Sequence, residues 1–329
     1  MNFWQCRWLA IGVISLAGVA QADTLEVCSS GCTYSSIETA MVAAQSGDII
    51  EIGAGTYYES SLFPTTPNLT FRGATNADGS PAVILDGQGT ADILLAIGAV
   101  DASGTTVENI VFTGSIGNAL WIYHYAPTIR NCTFTGITSE WEGAAIWSSD
   151  SEALIEDCRF VGNDAGDSGN ILFNKSISGD NPGLLARNCS FEDNQGRAIA
   201  QIQYTTAGIQ DCTFRNNTAT AAISAWGSGG MVMVSDTLFC ENDAAAIEGT
   251  WDDGGGNTVQ DECPVDCPGD LNGDLQVDLA DFSTFLIQFG QTGADLEADL
   301  DQDLDVDLQD FSLFLIRYGE VCDGARDLR

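Results

Sequence analysis

The sequence predicts a mainly β protein whose short strands stack as successive coils, followed by a small helical module. A segment ending in Phe recurs along the middle of the chain, and a patch of small and aliphatic residues follows each copy. Period-two alternation around the patches indicates strands, and Gly, Asn, Asp and Ser between them indicate tight turns. An acidic stretch at residues 270–281 recurs at 299–310, and a helical apolar pattern follows each copy.

The Phe-ending segments are ENIVF, RNCTF, EDCRF, RNCSF, QDCTF and SDTLF, with Phe at positions 112, 134, 160, 191, 214 and 239. A unit this short cannot bury its apolar face alone, but coils stacked about 4.8 Å apart share one interior. Residues 36–263 then make roughly nine layers at that spacing.

The opening of this region, IETAMVAAQSGDIIEIGAGTYYE at residues 37–59, and the NCTF repeats resemble the right-handed parallel β-helix, or pectin-lyase-like, superfamily. The resemblance implies a first helix and coil followed by right-handed turns of parallel strand. It implies no single activity, because the superfamily includes lyases, hydrolases, esterases, epimerases and non-catalytic surface proteins.

Charge narrows the choice of partners. The 329 residues contain 11 Lys plus Arg against 47 Asp plus Glu, a formal net charge of -36. Such a surface disfavours nucleic acid and anionic membranes as partners. It attracts hard cations such as Ca²⁺.

Residues 1–22 have the pattern of a secretory signal, with Arg7 near the start, an apolar run at 9–20 and the small residues AQA before Asp23. We expect cleavage after Ala22 and no membrane span afterwards, because no later stretch of about 18 apolar residues occurs. An N-terminal membrane anchor is the alternative. Secretion to the extracellular space or cell surface would permit disulfides.

The repeat allows columns of equivalent residues to be compared across coils. Ile129, Cys132 and Phe134 are expected to point inward, and the chain is expected to turn a corner at Asn131. The equivalent corner residues are Asn131, Asp157, Asn188, Asp211 and Asp236. The stacked cysteines Cys132, Cys158, Cys189 and Cys212 are interpreted as buried apolar thiols rather than a metal or redox centre.

Outward positions before these corners hold Glu108, Arg130, Glu156, Arg187 and Gln210, and the first four alternate in charge. We interpret them as a surface charge ladder rather than a catalytic set. The superfamily's lyases use an Arg or Lys base beside calcium-binding acids, and its hydrolases use clustered carboxylates around Gly-His-Gly. Neither signature occurs, so no catalytic residue is assigned. Alternation allows His124, the one His, to point inward as a satisfied structural group, and Lys175, the one Lys, is interpreted as a solvated lysine in a loop.

Strand alternation turns three aromatic residues outward. Leu120 and Ile146 are expected to point inward, which sends Trp121 and Trp147 outward in neighbouring layers, with Tyr123 on the same face. Exposed aromatic rings suit the apolar faces of sugars, so these three are candidate carbohydrate-binding residues. Covering by loops or a helix is the alternative.

Three disulfides are expected outside the cysteine column. Cys28 and Cys32 can pair with each other, Cys240 with Cys263, and Cys267 with Cys322, although spacing alone does not fix the connectivity. The last pair would join the two ends of the acidic module.

The acidic stretches have the spacing of calcium loops. Positions 1, 3, 5 and 12 offer oxygen ligands, position 7 offers a carbonyl and position 9 an acid that acts through water. The first set is Asp270, Asn272, Asp274, Gln276, Asp278 and Asp281. The second set is Asp299, Asp301, Asp303, Asp305, Asp307 and Asp310. Up to two Ca²⁺ ions are expected, and an acidic solvated tail is the alternative.

Two calcium loops, each followed by one helix and each with Asp at position 12, resemble the type I dockerin family. The resemblance implies an EF-hand-like module that docks its chain onto cohesin, typically in polysaccharide breakdown. Leu275 and Leu304 stand where position 6 requires Gly, and Leu279–Ala280 and Leu308–Gln309 replace the usual Ser-Thr pair that contacts cohesin. Another surface partner is therefore an alternative.

We predict a signal at 1–22, a right-handed parallel β-helix of roughly nine coils at 23–263, a small all-α dockerin-like module at 264–323 and a tail at 324–329. The favoured function is a secreted, monomeric, calcium-binding protein that binds extracellular polysaccharide and is displayed through the module. The alternatives are an active polysaccharide lyase or glycoside hydrolase and a non-catalytic structural or adhesive protein.

Overall fold

The computed structural model describes residues 22–98, 101–176, 183–227, 231–243, 245–263, 267–272, 276–293, 296–301, 303 and 305–321. The chain divides into two compact units, with the boundary between Asp261 and Glu262. Apart from Ala22, the predicted signal at 1–22 lies outside the described residues, as does the tail at 324–329.

One sheet of the first unit has ten strands, one from each successive coil, and we call it face A. Its strands are β1 (Thr24–Val27), β2 (Ile49–Ile52), β4 (Thr70–Gly73), β6 (Thr106–Glu108), β8 (Thr128–Arg130), β11 (Leu154–Glu156), β14 (Gly183–Arg187), β17 (Thr206–Gln210), β20 (Met231–Ser235) and β23 (Trp251–Gly255). All pairings are parallel, and sequence neighbours in this set are spatial neighbours.

A second sheet of fourteen strands forms two further strips of the same coils. The Phe strip contains β9 (Thr133–Thr135), β12 (Arg159–Val161), β15 (Ser190–Glu192), β18 (Thr213–Arg215), β21 (Leu238–Cys240) and β24 (Thr258–Gln260). The long strip contains β10 (Ile146–Ser149), β13 (Asn170–Lys175), β16 (Ala198–Gln203), β19 (Ala221–Trp226) and β22 (Ala245–Gly249). The strips join through β3 (Gly55–Tyr57), β5 (Val83–Ile97) and β7 (Ile110–Tyr123).

This arrangement confirms the predicted parallel β-helix of about nine coils. The solenoid starts earlier than residue 36, because β1 already pairs with β2 in register, Thr24 beside Ile49. The helix α1 (Ile37–Ala43) is capped by Ser36 and buries Ile37, Ala40 and Met41. The Glu59 carboxylate accepts hydrogen bonds from the amides of Ile37 and Glu38 at 2.8 and 2.9 Å, satisfying two donors at the helix start.

The six predicted Phe residues form one continuous buried stack. Successive ring centroids are 4.9, 4.9, 4.5, 4.5 and 5.2 Å apart, with interplanar angles of 12° or less. In-register parallel strands repeat one side chain at the strand spacing, so identical rings meet face against face. The stack fixes the register of the coils.

The corner residues also lie as predicted, in the left-handed region. Their φ values are 47° for Asn131, 55° for Asp157, 51° for Asn188 and 50° for both Asp211 and Asp236. Asn and Asp tolerate this conformation better than other residues with a Cβ. The adjoining thiols Cys132, Cys158, Cys189 and Cys212 are free and buried, as expected.

Sequence patterns did not reveal an asparagine ladder inside the solenoid. Each amide donates to the Oδ1 of the next coil's Asn, at 3.0, 3.1 and 2.9 Å, along the series Asn163, Asn194, Asn217 and Asn242. Each Nδ2 also donates to a Phe carbonyl one coil earlier, such as Phe160 from Asn194 at 2.8 Å. The ladder supplies acceptors and donors that buried corner backbone needs.

The predicted charge ladder forms ion pairs between neighbouring strands of face A, but the surface position expected for Glu108 is not found. Glu108, which is almost fully buried, accepts hydrogen bonds from Arg72 at 2.5 Å and from Arg130. Arg187 bonds Glu156 at 3.1 Å. Burial raises the pKa of the Glu108 carboxyl, but the hydrogen bonds and positive charges of the two guanidinium groups outweigh it, and the pKa is lowered.

In the second unit, α2 (Leu279–Gln288) and α3 (Leu308–Arg317) follow the two acidic stretches. Phe285 and Phe314 are buried with ring centroids 5.5 Å apart, joining the two repeats as expected. Leu286 and Leu315, which belong to the helical apolar pattern of the sequence, do not share this packed face, because their side chains are 57% and 54% exposed. Fewer positions of each helix are buried than the apolar pattern of the sequence indicates.

Cys28 and Cys32 form a disulfide, and Cys240, Cys263 and Cys267 are each disulfide-bonded. Cys322 lies outside the described residues. Among the residues that the structure describes, no helix has the length and apolar character to cross a membrane.

Candidate functional site

Three aromatic side chains form a surface cluster on the long strip, which we call the aromatic ridge: Trp121, Tyr123 and Trp147. Trp121 and Trp147 are register partners on β7 and β10, and their ring centroids are 5.3 Å apart. Tyr123 stacks on Trp121 with centroids 6.1 Å apart and an interplanar angle of 10°. All three are partly exposed, because Leu120 and Ile146 beside them point inward and are fully buried.

The column continues beyond the ridge with Phe173, the register partner of Trp147 on β13. Phe173 is buried, unlike the two tryptophans. The next partners are Gln201 and Ser224 on β16 and β19. This register column therefore changes from aromatic to polar over five coils, and it is partly exposed only at Trp121 and Trp147.

Lys175 places a positive charge against this column. Its Nζ lies 5.8 Å from the ring centroid of Trp147 and 5.6 Å from that of Phe173, within cation–π distance. It also pairs with Glu142 at 4.0 Å. The expectation that Lys175 lies in a loop is wrong: it is the last residue of β13, where strand alternation turns it outward.

A second aromatic group on the same strip was missed in the sequence. Trp226 ends β19, is 39% exposed and has the guanidinium of Arg197 5.7 Å from its ring centroid. Tyr204 beside it is also exposed. The sequence indicates this second aromatic group only weakly. Trp226 follows the patch of small residues of one coil and Arg197 precedes the patch of another coil, so the two residues are far apart in the sequence.

His124 follows the ridge at the end of β7. It is exposed, it adopts a left-handed φ of 69°, and its ring centroid lies 3.8 Å from that of Tyr123. The inward structural position that strand alternation allowed for His124 is therefore not found. Its geometry is that of a corner residue packed on an aromatic neighbour.

The second acidic loop brings candidate ligands together. Oxygen atoms of Asp299, Asp301 and Asp303 lie within 4.8 Å of one another, as do those of Asp305, Asp307 and Asp310. Oδ1 of Asp301 is buried without a hydrogen-bond partner, while its Oδ2 accepts a hydrogen bond from Gln309 at 2.8 Å. A buried carboxylate oxygen without a donor is costly unless a cation approaches it.

Desolvation and neighbouring negative charge raise the pKa values of two carboxyl groups in this loop, Asp305 and Asp303. The pKa of Asp305 is raised by desolvation and then by the negative charges of Asp303, Asp307 and Asp310. A hydrogen bond from the Asp305 amide lowers the pKa of Asp303, but desolvation and the carboxylates of Asp301 and Asp299 outweigh it, and the pKa is raised. Concentrated carboxylates with one orphaned oxygen form a donor set that fits a hard divalent cation.

The acids at loop positions 9 and 12 also build the helix starts. Asp278 caps α2 and Asp307 caps α3. The buried Asp281 accepts hydrogen bonds from the amides of Asn272 at 3.0 Å and Asp278 at 2.8 Å. Asp310 does the same for Leu300 at 2.7 Å and Asp307 at 2.7 Å. These bonds hold each loop against its own helix.

The first loop is described in part. Asp270, Asn272 and Gln276 are described, and Gln276 bridges to Val321. Asp274 lies outside the described residues, as do Leu275 and Leu304, the residues at position 6. The described part of the chain therefore presents the second loop as the better-defined candidate metal site.

Several solved structures of pectin methylesterases are similar to this chain. A pectin methylesterase from Aspergillus niger is 16% identical with a TM-score of 0.50, covering 73% of this chain and 86% of that chain. A pectin methylesterase from Erwinia chrysanthemi is 14% identical with a TM-score of 0.48, covering 69% and 82%. One from carrot is 12% identical with a TM-score of 0.47, covering 80% and 92%. At such identities the likeness concerns the fold alone.

A search of curated proteins gives no match. The family model described as "Right handed beta helix region" matches residues 95–261, which include the ridge, the Phe stack and the cysteine column. The chain belongs to the right-handed β-helix family.

Proposed function

We propose that this protein is secreted and binds extracellular polysaccharide through the aromatic ridge. The observation that carries the proposal is the stacked, partly exposed set of Trp121, Tyr123 and Trp147 on one rigid strip. Aromatic rings pack against the apolar faces of sugar rings, and a cluster of partly exposed aromatic rings is a candidate interaction surface.

The support for a polysaccharide, rather than a small sugar, is the linear layout of the strip. Trp226 lies farther along the same strip, in the register column that starts at Tyr123 and passes through Lys175, and the exposed Tyr204 lies beside it. In-register coils repeat about every 4.8 Å, so an extended chain could contact several coils at once. Short oligomers would then bind more weakly than long ones.

Binding to a panel of insoluble polysaccharides tests the proposal. Wild-type protein should sediment with at least one member, and Trp147→Ala should weaken retention about tenfold, because a stacked ring contributes on the order of 1 kcal/mol or more. Trp251→Ala is the matched control, since Trp251 is exposed on face A. Equal retention of Trp147→Ala and the wild type would reject the ridge as the binding site.

The same panel separates the alternatives. Unsaturated products would identify a lyase, and new reducing ends a glycoside hydrolase. Retention without cleavage supports binding alone, and neither retention nor product favours a structural or adhesive role. A catalytic role has weaker support than binding, since Lys175, whose Nζ lies 5.8 Å from the Trp147 ring centroid, pairs with Glu142.

We further propose that residues 264–323 form a calcium-dependent display module. Its support is the orphaned Oδ1 of Asp301 among clustered carboxylates, together with the duplicated loop and helix. Matched residues of α2 and α3 are exposed, Ile287 at 73% and Ile316 at 72%, which suits docking to a cohesin-like or other surface protein.

Calorimetric titration of Ca²⁺ into the chelator-treated full chain tests the module. Asp301→Ala should remove or weaken binding at the second loop by tenfold or more. Glu297→Ala is the control, because Glu297 is an exposed acid between the loops and outside both ligand sets. Wild-type protein that takes up no Ca²⁺ at millimolar concentration would contradict the proposal.

A further inference from the structure

The start of the solenoid places a backbone nitrogen against a buried carboxylate. The amide of Asp23 donates to Oδ1 of Asp48 at 2.8 Å, and the amide of Gln45 donates to Oδ2 of the same residue at 2.8 Å. Asp48 is only 5% exposed. Two neutral donors therefore satisfy this carboxylate, and one of them belongs to the residue that directly follows the predicted signal.

The Asp48 carboxylate has no positive partner in the described part of the chain, since none of the ion pairs between described residues includes it. Asp48 lines a surface cavity of about 410 Å³. Asp23 and Glu26 also line this cavity, and no Lys, Arg or His is among its described lining residues. Burying a carboxylate without a counter-charge is costly, so this position favours a cation.

The sheet fixes the Asp23 nitrogen beside Asp48. The amide of Ile49 donates to the carbonyl of Asp23 at 2.9 Å, and Thr24 is the register partner of Ile49. Ala22, on the other side of the nitrogen, is exposed. Cleavage of the chain between Ala22 and Asp23 would therefore keep both the strand pairing and the position of this nitrogen.

We infer that removal of the signal after Ala22 creates an ion pair between the new α-ammonium group of Asp23 and the buried carboxylate of Asp48. The inference rests on the proposed secretion. Hydrolysis of the Ala22–Asp23 peptide bond consumes one water and leaves a carboxylate on Ala22 and an α-amino group on Asp23. The neutral amide donor becomes a charged one, and an N⁺–H···O⁻ bond has a usual length of about 2.7–2.9 Å, which the present distance already matches.

The cavity lining determines how the new group responds to pH. Besides Asp48, its titratable residues are Asp23, Glu26 and Tyr34. The carboxylates favour the charged form of the α-amino group, so its pKa should be raised above the ordinary value of about 7.7–8.0. Because the folded pKa is raised, the ion pair contributes fully below the unfolded pKa, and the contribution is lost as pH rises through the folded value.

The test compares two chains that run to residue 329, one beginning at Asp23 and one that retains Ala22. The pH dependence of acylation by an amine-reactive reagent is followed on the N-terminal peptide by mass spectrometry, with Lys175, the one Lys, as internal reference. We expect the midpoint for the Asp23 chain to lie about one pH unit above that of the Ala22 chain. Steric shielding alone would slow acylation without moving the midpoint.

Thermal unfolding gives a second readout of the same pair. At pH 7 the Tm of the Asp23 chain should exceed that of the Ala22 chain by about 2–4 °C. The difference should disappear at alkaline pH, where the α-amino group is neutral in both states.

Two variants of the Asp23 chain assign the effect to one carboxylate. Asp48→Asn keeps an oxygen acceptor and removes the charge, so the midpoint should return to the ordinary range. Glu38→Gln is the control, because Glu38 is an exposed acid that does not line the cavity, and its midpoint should not change. If Asp48→Asn fails to fold, the comparison of the Asp23 and Ala22 chains decides.

Equal midpoints for the Asp23 and Ala22 chains would overturn the inference. N-terminal sequencing of the secreted protein would overturn it as well if the first residue is not Asp23. Neither result depends on a polysaccharide, so failure of this inference and failure of ridge binding are distinguished.

Discussion

Removal of one ring from the Phe stack tests the repeat as the source of the fold. Phe160 is fully buried and stacks on Phe134 at 4.9 Å and on Phe191 at 4.5 Å. A buried Phe→Ala change costs about 3–5 kcal/mol in unfolding free energy. Each ring pair adds about 0.5–1.5 kcal/mol beyond burial, so two lost pairs place Phe160→Ala near the top of that range, at about 5 kcal/mol.

Urea unfolding followed by the β-sheet circular dichroism signal measures this loss. Since small domains are stable by about 5–15 kcal/mol in total, the midpoint should fall markedly, with an unchanged slope against urea. Phe63→Ala is the control, because Phe63 is 45% exposed and its loss should cost less than about 1 kcal/mol. A Phe160→Ala midpoint equal to that of the wild type would refute the assigned register.

Three further predictions concern the same unit. Glu108→Gln should lower stability at neutral pH by about 1–2 kcal/mol, since it removes a charge held by two guanidinium groups. Because the folded pKa of Glu108 is lowered, its contribution is present above the unfolded pKa of about 4.3 and is lost as pH falls through the folded value. The stabilities of both proteins should therefore converge as pH falls below the folded pKa of Glu108, and a constant gap down to that acid limit would contradict this. Asn194→Ala should cost about 2–4 kcal/mol by leaving Phe160 and Asn163 without buried partners, and chemical denaturation beside an exposed Asn76→Ala control checks it. Gly162→Ala should cost about 1 kcal/mol through its φ of 63° alone, as no neighbouring atom lies within 4 Å of the added Cβ; a neutral result would argue against that corner.

The parts of the fold that were predictable are those that repeat one residue type in one column. Phe134 and Asn131 recur with their equivalents at each coil, so their inward and corner positions follow from stacking alone. Asn163 and its ladder partners were not predictable, because a polar amide after each Phe matches an exposed turn equally well. These amides lie inside because buried backbone groups, such as the Phe134 carbonyl, need hydrogen-bond partners there.

The ridge shows the same contrast. The outward direction of Trp121 and Trp147 follows from strand alternation, whereas the approach of Lys175 depends on where β13 ends. In the acidic module the loop spacing is visible in the sequence. The burial of Asp281 and Asp310 as part of the helix starts is not, since a carboxylate ligand and a carboxylate cap share one residue type.

Hydroxyl-radical footprinting with a bound oligosaccharide tests the ridge most directly, because it reports protection residue by residue. The protein should first be paired with the best member of the polysaccharide panel. We expect protection of Trp121, Tyr123 and Trp147, with Trp251 on face A oxidised as in the free protein. If Trp121, Tyr123 and Trp147 are oxidised equally with and without the bound oligosaccharide, the proposal that the ridge is the binding surface is contradicted.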